Sequence, residues 1–179
     1  MILSDREIEI AINSKQIIFN SNRPLLEILS SSSIDLSLAE QGRIWKSNSA
    51  IQIRPGDPNY NYSSLENYQG TVALSNYVMD PGSFLLGWTV ESIGLPIQSR
   101  LAARVEGKSS LARLGIGIHV TAPIIHAGFS GVIQLEIFNC GPNRIVLDAG
   151  MKICQLVFEY TSGTPHKGYA GAFSGQTTH

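Results

Sequence analysis

The chain has few charged residues and no excess of positive charge. Of its 179 residues 15% are charged, with 13 Lys and Arg against 14 Asp and Glu, and the formal net charge at pH 7 is −1. A protein that binds nucleic acid through the phosphate backbone normally carries a large basic excess, because binding depends on neutralising phosphates. The composition therefore argues against a nucleic-acid partner.

Cysteine is scarce as well. Two residues, Cys140 and Cys154, cannot build a disulfide framework, and the sequence contains no Cys-x-x-Cys motif that would hold zinc. Both lie in apolar segments that look like strands. We therefore expect both to be buried as small hydrophobic side chains.

Long hydrophobic runs are absent too. No apolar segment approaches the roughly 20 residues of a membrane-spanning helix. The opening "MILSDREIEIAI" carries acidic residues where a signal peptide would carry basic ones. We expect a cytoplasmic, soluble protein with no membrane partner, folded as a single domain over residues 1–179.

Short strand-like segments dominate what is present. One helix is predicted at the start, where Ser4 caps it, Glu7 completes a capping box, and Ile8 and Ile12 share a face. Beyond residue 30 the chain consists of β-rich runs bounded by Gly, Pro, Asn or Ser, such as "SIDLSL", "SFLLGWTVESI", "RLAARVE", "GIGIHV" and "KICQLVFEY". This pattern predicts a mainly β protein, either a sandwich, a jelly roll or a barrel.

The segment "GKSSLARLG", residues 107–115, gathers a Lys, two hydroxyls and an Arg. It resembles the end of a phosphate-binding P-loop, but that motif needs a Gly five positions before Gly107, where Ala102 stands. A P-loop is therefore excluded. The segment is predicted to form one helical turn capped by Ser109 or Ser110.

A single carboxylate interrupts the apolar run "GVIQLEIFN". Strand alternation puts Ile133, Leu135 and Ile137 on one face and Glu136 on the other, with Gln134 and Phe138 beside it. A buried carboxylate is rare unless paired, and burial raises its pKa. Glu136 is either a structural residue in an ion pair or a general acid and base, and Arg113 is the natural partner in both cases.

The C-terminal segment, residues 161–179, is rich in Gly and small residues. Tyr169 and Phe173 are its isolated large side chains. A frayed terminus and a flap that closes over a ligand both fit this composition.

Taken in order, "GKSSLARLG", "HVTA" and "GFSGVIQLEIFN" resemble the central block of the dCTP deaminase family. The similarity extends to "MILSD", "SSIDLSL" and "QLVFE", and it is weakest over residues 40–70. The resemblance implies a dUTPase-like distorted β-barrel or jelly roll (β-clip) with a short N-terminal helix and a flexible closing tail. It also implies a homotrimer with active sites between subunits.

The resemblance further implies zinc-independent hydrolytic deamination, in which dCTP and water give dUTP and ammonia. Glu136 matches the residue that activates the water for attack on C4 and passes its proton to the leaving ammonia. Ser109 and Arg113 match residues that hold this water and this glutamate from a neighbouring subunit. Magnesium would arrive bound to the triphosphate of the nucleotide.

Substrate contacts implied by the resemblance fall on both halves of the nucleotide. Lys108 and Ser110 match phosphate-binding residues. Ala122 and Gln134, with the adjacent Leu135, match positions that read the base through main-chain groups.

The sugar side involves four more residues. Phe129 matches an aromatic residue that packs under the sugar and disfavours a 2′-hydroxyl. Tyr169 and Gln176 match tail residues that close over the nucleotide, and His126 occupies the position that contacts the 3′-hydroxyl.

Three positions depart from the family pattern. Lys108 replaces an Arg and loses its bidentate fork. His126 replaces an Asp, although a neutral imidazole still accepts one hydrogen bond. Ala172 replaces a tail Lys, whose place Lys167 or His166 would have to take.

Two other functions remain open alongside the deaminase. A dUTPase or bifunctional deaminase-dUTPase would use the same fold, but its chemistry relies on an aspartate at the position of His126. A non-catalytic nucleotide sensor would have no need of Glu136.

Overall fold

The computed structural model describes residues 1–47 and 51–169, and within them strands predominate, as predicted. The helices are α1 (Asp5–Asn13), α2 (Leu25–Ile28) and α3 (Ser109–Ala112), with 3-10 helices at Tyr62–Tyr68 and Ile97–Ser99. The strands are β1 (Ile18–Asn20), β2 (Leu29–Ser30), β3 (Ser33–Ser37), β4 (Gln41–Trp45), β5 (Gln69–Ala73), β6 (Tyr77–Met79), β7 (Phe84–Gly94), β8 (Leu101–Gly107), β9 (Ile116–Gly117), β10 (Ile124–Ile125), β11 (Ser130–Asn139), β12 (Ile145–Leu147) and β13 (Lys152–Tyr160).

The predicted capping box of α1 is confirmed. The backbone N–H of Ser4 donates to the Glu7 carboxylate at 2.8 Å, and the N–H of Glu7 donates back to the Ser4 hydroxyl at 3.5 Å. Ile8 is fully buried and Ile12 packs against the core on the same face. The helix is thus fixed at its start by two local hydrogen bonds and along its length by burial.

The described strands pair antiparallel in two large sheets and one small one. The first sheet runs β5-β4-β7-β11-β9, with β1 also paired to β7. The second runs β10-β8-β13-β3-β2, and β12 pairs with β6. One cluster of buried side chains contains residues of both large sheets and of α1, among them Ile8, Leu36, Leu85, Ile137 and Phe158.

A polar link joins the two large sheets inside this core. The carboxylate of Glu91 on β7, which is 1% exposed, accepts a 2.7 Å hydrogen bond from the backbone N–H of Ser37 on β3. The hydroxyl of Thr89 donates to the Glu91 carbonyl at 2.8 Å and accepts from the N–H of Ile133 at 2.9 Å. These bonds tie β3, β7 and β11 together where the sheets meet.

The prediction that both cysteines are buried is correct for Cys154 and wrong for Cys140. Cys154 lies inside β13 and is inaccessible to solvent, and burial raises the pKa of its thiol. Cys140 follows the last residue of β11 and is exposed, with its Sγ 3.0 Å from the carbonyl oxygen of Gly115. The strand pattern ends one residue before Cys140, which explains the difference.

No helix in residues 1–47 or 51–169 is long and apolar enough to cross a membrane.

Gly115 closes the turn that connects α3 to β9. Its φ is +95°, and a Cβ built there would overlap the backbone of Gly141. The carbonyl of Gly115 also accepts a 2.8 Å hydrogen bond from the N–H of Cys140. This backbone contact fixes the "GKSSLARLG" segment against the end of β11.

Substituting this glycine will destabilise the fold. Gly115→Ala places a side chain in the left-handed region and against Gly141, so we expect the free energy of unfolding to fall by at least about 2 kcal/mol. Gly56→Ala is the matched control, because a Cβ added at Gly56 would meet no atom within 4 Å and its φ is not positive. Urea denaturation of both variants measures the difference. Equal stabilities would show that the backbone shifts at no cost.

Candidate functional site

A cavity of about 450 Å³ opens beside β11. Its volume lies in the range of small-molecule sites, and its lining is mostly apolar with a few polar groups, which is typical of such sites. It is bordered by β4, β7 and β11, by residues 119–129 and by the start of the C-terminal segment. The lining residues are Trp45, Tyr62, Phe84, Leu86, Val105, His119, Ala122, Ile124, Ile125, His126, Phe129, Ile133, Gln134, Leu135, Glu136 and Tyr169.

The cavity brings together seven of the residues singled out from the sequence. They are Ala122, His126, Phe129, Gln134, Leu135, Glu136 and Tyr169. The side chain of Leu135 belongs to the hydrophobic core, with 1% exposure. The predicted Gln176 lies outside the described residues.

The alternation predicted for β11 is confirmed. Ile133, Leu135 and Ile137 are 5%, 1% and 0% exposed, whereas Glu136 is half-buried on the opposite face. The strand register places Glu136 directly across from Leu86 of β7. Glu136 therefore stands on the cavity face of a sheet whose other face is core.

Burial raises the pKa of the Glu136 carboxyl. A hydrogen bond from the backbone N–H of Val120, its own backbone N–H and the charge of His119 act in the opposite direction, but they do not cancel the effect of burial. A carboxyl whose pKa is raised toward neutrality is suited to taking up and releasing a proton during a reaction.

His119 is a cavity residue to which the sequence analysis assigned no role. It adjoins Glu136, and its ring Nδ1 is buried without a hydrogen-bond partner among the described residues. An unpartnered buried nitrogen in a cavity wall indicates a water or ligand contact. The residue is the first of the "HVTA" motif, but a single histidine in an apolar run gives no signal of its own.

Three aromatic rings form one end of the cavity. The ring of Tyr169 stacks on that of His126, with centroids 6.0 Å apart and planes at 16°, and it lies 6.0 Å from the ring of Phe129 at 55°. The N–H of Tyr169 donates to the carbonyl of Ala127 at 2.8 Å. Gly128 makes this approach possible, because a Cβ there would lie 2.6 Å from the Tyr169 nitrogen. The start of the C-terminal segment is thus docked on the cavity.

Another wall of the cavity includes two residues from the segment 40–70, where the similarity to the family is weakest. Trp45 of β4 and Tyr62 of the 3-10 helix border the cavity together with Phe84 and Leu86 of β7. The segment around Trp45 and Tyr62 shows neither a motif nor a clear period. Only the pairing of β4 with β7 brings Trp45 to the site.

The "GKSSLARLG" segment lies apart from this cavity within one chain. Ser109, Ser110 and Arg113 are exposed and do not line it. The helical turn is present, but the predicted serine cap is wrong: α3 begins at Ser109, and Lys108 is its N-cap, in extended conformation. The Lys108 carbonyl accepts from the N–H groups of Leu111 and Ala112, so the turn closes without a side-chain cap.

Lys108 itself is engaged in an ion pair. Its ammonium contacts Oδ1 of Asp35 on β3, and the ammonium of Lys152 lies 3.1 Å from Oδ2 of the same carboxylate. Asp35 is 6% exposed. Two cations therefore share one buried carboxylate beside the two serine hydroxyls of α3.

No group of three or more His, Cys, Asp or Glu residues within 1–47 and 51–169 is arranged to hold a metal ion.

The family model described as dCTP deaminase-like matches residues 2–161 of this chain. The dUMP-forming dCTP deaminase of Methanosphaera stadtmanae is 35% identical over 173 residues, covering 94% of this chain and 83% of that protein. The enzyme of the same name from Corynebacterium jeikeium is 37% identical over 180 residues, with 96% and 92% covered. That from Aquifex aeolicus is 36% identical over 176 residues, with 98% and 91% covered.

A solved structure shares the fold. The 2′-deoxycytidine 5′-triphosphate deaminase of Agrobacterium tumefaciens superposes with a TM-score of 0.68 at 24% identity, covering 89% of this chain. The present chain spans 48% of the length of that chain.

The influence of His119 on Glu136 can be measured directly. Since the charge of His119 lowers the pKa of Glu136, His119→Asn is expected to raise it further. His126→Asn is the matched control, because His126 lines the same cavity but does not contribute to the shift. Carbon-13 NMR titration of the Glu136 carboxyl reads out both variants. An unchanged pKa in His119→Asn would contradict the electrostatic coupling.

Proposed function

Since the chain belongs to the dCTP deaminase-like family, we propose that it removes the 4-amino group of dCTP by hydrolysis. The observation that supports this most directly is Glu136, a half-buried carboxyl of raised pKa that faces a cavity of ligand size. A pyrimidine nucleotide is therefore the partner of the site. Glu136 also argues against a nucleotide sensor without activity, since binding alone does not require an acid and base.

The chemistry needs one group that handles a proton twice. Ionised Glu136 takes a proton from a water while the water oxygen bonds to C4 of the cytosine ring and the electron pair of the C4–N3 double bond moves onto N3. The carboxyl then returns that proton to the 4-amino nitrogen, the pair on N3 re-forms the double bond, the bond from C4 to the amino nitrogen breaks, and ammonia leaves. The proton on the added oxygen moves to N3, which gives the uracil ring. The hydrogen bond from the Val120 N–H holds the carboxyl in place through both transfers.

The sugar and the triphosphate of the nucleotide would be bound by groups other than this carboxyl. The ring faces of Phe129, His126 and Tyr169 suit the sugar, and the position of His126 corresponds to the proposed 3′-hydroxyl contact. Magnesium would be carried by the triphosphate, whose oxygens are the ligands this ion prefers. A cytoplasmic location and the lack of nucleic-acid and membrane partners stay predictions.

The active site is proposed to lie between the subunits of a homotrimer. Ser109, Ser110 and Arg113 are exposed and outside the cavity of their own chain, although their residue types suit a catalytic and phosphate-binding role. A second copy would bring them to Glu136. The expected pairing of Arg113 with Glu136 would then be made across the interface.

The product implied by the sequence resemblance differs from the product named for the relatives. The family resemblance of the sequence implies dUTP, whereas the relatives are named dUMP-forming, which favours the bifunctional alternative. Cleavage of the α–β phosphate bond would require a second activated water. Among the described residues that line the cavity, Glu136 is the only carboxylate, and His126 occupies the expected aspartate position. A bifunctional enzyme would use Glu136, a histidine of this cavity or a group that the neighbouring subunit brings to it for this step.

Incubation with dCTP and magnesium tests the proposal. We expect ammonia together with dUTP, or with dUMP and pyrophosphate if the second step occurs, as resolved by ion-exchange chromatography. Glu136→Gln keeps the shape of the side chain but cannot accept a proton, so turnover should fall by about 100- to 10,000-fold while dCTP still binds. A variant that retains more than about a tenth of wild-type activity would rule out Glu136 as the base.

Mixed trimers test the shared site. Glu136→Gln and Arg113→Ala chains are each expected to be inactive when refolded alone. Refolding them together in equal amounts should restore about a quarter of wild-type activity, because a random closed trimer pairs intact Glu136 with intact Arg113 at one site in four. Each variant refolded alone is the control. Mixed trimers verified by mass spectrometry that show no activity would contradict the arrangement.

A further inference from the structure

The two sides of the cavity next to Glu136 differ in chemistry. On one side lie polar groups of residues 119–122: the N–H of Val120 bonded to the carboxyl, and the unpartnered Nδ1 of His119. On the other side lie Leu86 and Phe84 of β7, then Trp45 and Tyr62. We call these four residues the apolar wall.

Strand pairing fixes the apolar wall relative to the carboxyl. Leu86 pairs with Glu136 on one side and with Arg43 of β4 on the other. Since side chains two residues apart in a strand share a face, Trp45 lies on the face of Arg43 and Phe84 on the face of Leu86. Three residues of the apolar wall therefore extend across two strands on the face that carries Glu136, and Tyr62 is added from the 3-10 helix.

The cytosine ring has a matching asymmetry. Its reacting carbon, C4, lies between N3 and C5. The edge that runs from N3 to O2 accepts hydrogen bonds, whereas the C5 and C6 edge carries only hydrogens bonded to carbon. Burying an acceptor against apolar side chains leaves it unsatisfied, which typically costs about 1–3 kcal/mol. With C4 at Glu136, N3 therefore faces residues 119–122 and C5 faces the apolar wall.

We propose that the enzyme also deaminates deoxycytidine triphosphates that carry an apolar substituent at C5, and that Trp45 and Tyr62 limit the size of the substituent. This inference rests on the proposed function and adds a substrate class to it. Water attack and loss of ammonia proceed at C4 as for dCTP, so 5-methyl-dCTP would give dTTP, or dTMP and pyrophosphate if the second step occurs. The cavity of about 450 Å³ continues past Leu86 to Trp45 and Tyr62, where a substituent would lie.

Steady-state kinetics with dCTP, 5-methyl-dCTP and 5-propynyl-dCTP test the proposal. A methyl group buried on the apolar wall should leave kcat/KM equal to that for dCTP or raise it by up to about fourfold, and the gain should appear in KM. A kcat/KM for 5-methyl-dCTP more than about tenfold below that for dCTP would overturn the proposal, because C5 would then face a closed or polar surface.

Two variants test whether Trp45 of the apolar wall limits the size of the C5 substituent. Trp45→Leu should raise the ratio of kcat/KM for 5-propynyl-dCTP over dCTP by about fivefold or more, since the smaller side chain frees space beside C5. Tyr160→Leu is the matched control: Tyr160 is an aromatic residue of β13 in the other large sheet, 44% exposed, and it does not line the cavity. An unchanged ratio in Trp45→Leu, or an equal change in Tyr160→Leu, would contradict the role of Trp45.

The same series separates this inference from the deaminase function. Calorimetry on the Glu136→Gln protein measures the affinities of the three nucleotides without turnover, and the same ratios are expected. If the wild type releases no ammonia from dCTP, the proposed deaminase function is wrong. The measured affinities would then still test whether C5 substituents bind against the apolar wall. If dCTP is deaminated but C5 substituents abolish binding, only the present inference fails.

Discussion

The antiparallel ladder between β11 and β7 determines how Glu136 and the other cavity residues of these two strands are oriented. It joins ten-residue and eleven-residue strands in the middle of the larger sheet, with one face in the core and the other at the cavity. A shift of register by one residue would carry Glu136 into the core and Leu135 or Ile137 out of it. Burial of the isoleucine and leucine side chains therefore also fixes the orientation of the carboxyl.

This placement explains why the carboxyl is half-buried rather than enclosed. A fully buried carboxylate without a cation would be too costly to ionise, and a fully exposed one would keep an ordinary pKa. Glu136 lies between these limits, because the sheet covers one side of it and the cavity leaves the other open. The Val120 N–H and His119 then moderate the effect of burial.

Sequence reasoning succeeded where the physical signal was local. The capping box of α1 and the alternation along β11 each depend on residues a few positions apart, and both are confirmed. It failed where the pairing of distant strands determines which residues border the cavity. Nothing near Trp45 or Tyr62 indicates that they border the cavity, since β4 reaches the site only by pairing with β7. His119 was missed because its environment, an unpartnered buried nitrogen beside a carboxyl, exists only in the folded chain.

The carboxylate of Asp35 influences which basic residue is suitable at position 108. Its two oxygens are divided between Lys108 and Lys152, one oxygen to each ammonium. A guanidinium at position 108 would favour both oxygens at once, in a planar fork, and would compete with Lys152 for its partner. The lysine at 108, where the resemblance implies an arginine, thus suits a carboxylate that has two cationic partners. The three side chains thus form one ionic unit with an excess of one positive charge beside the α3 serines, and a substitution at any one of positions 35, 108 and 152 changes the charge that the other two experience.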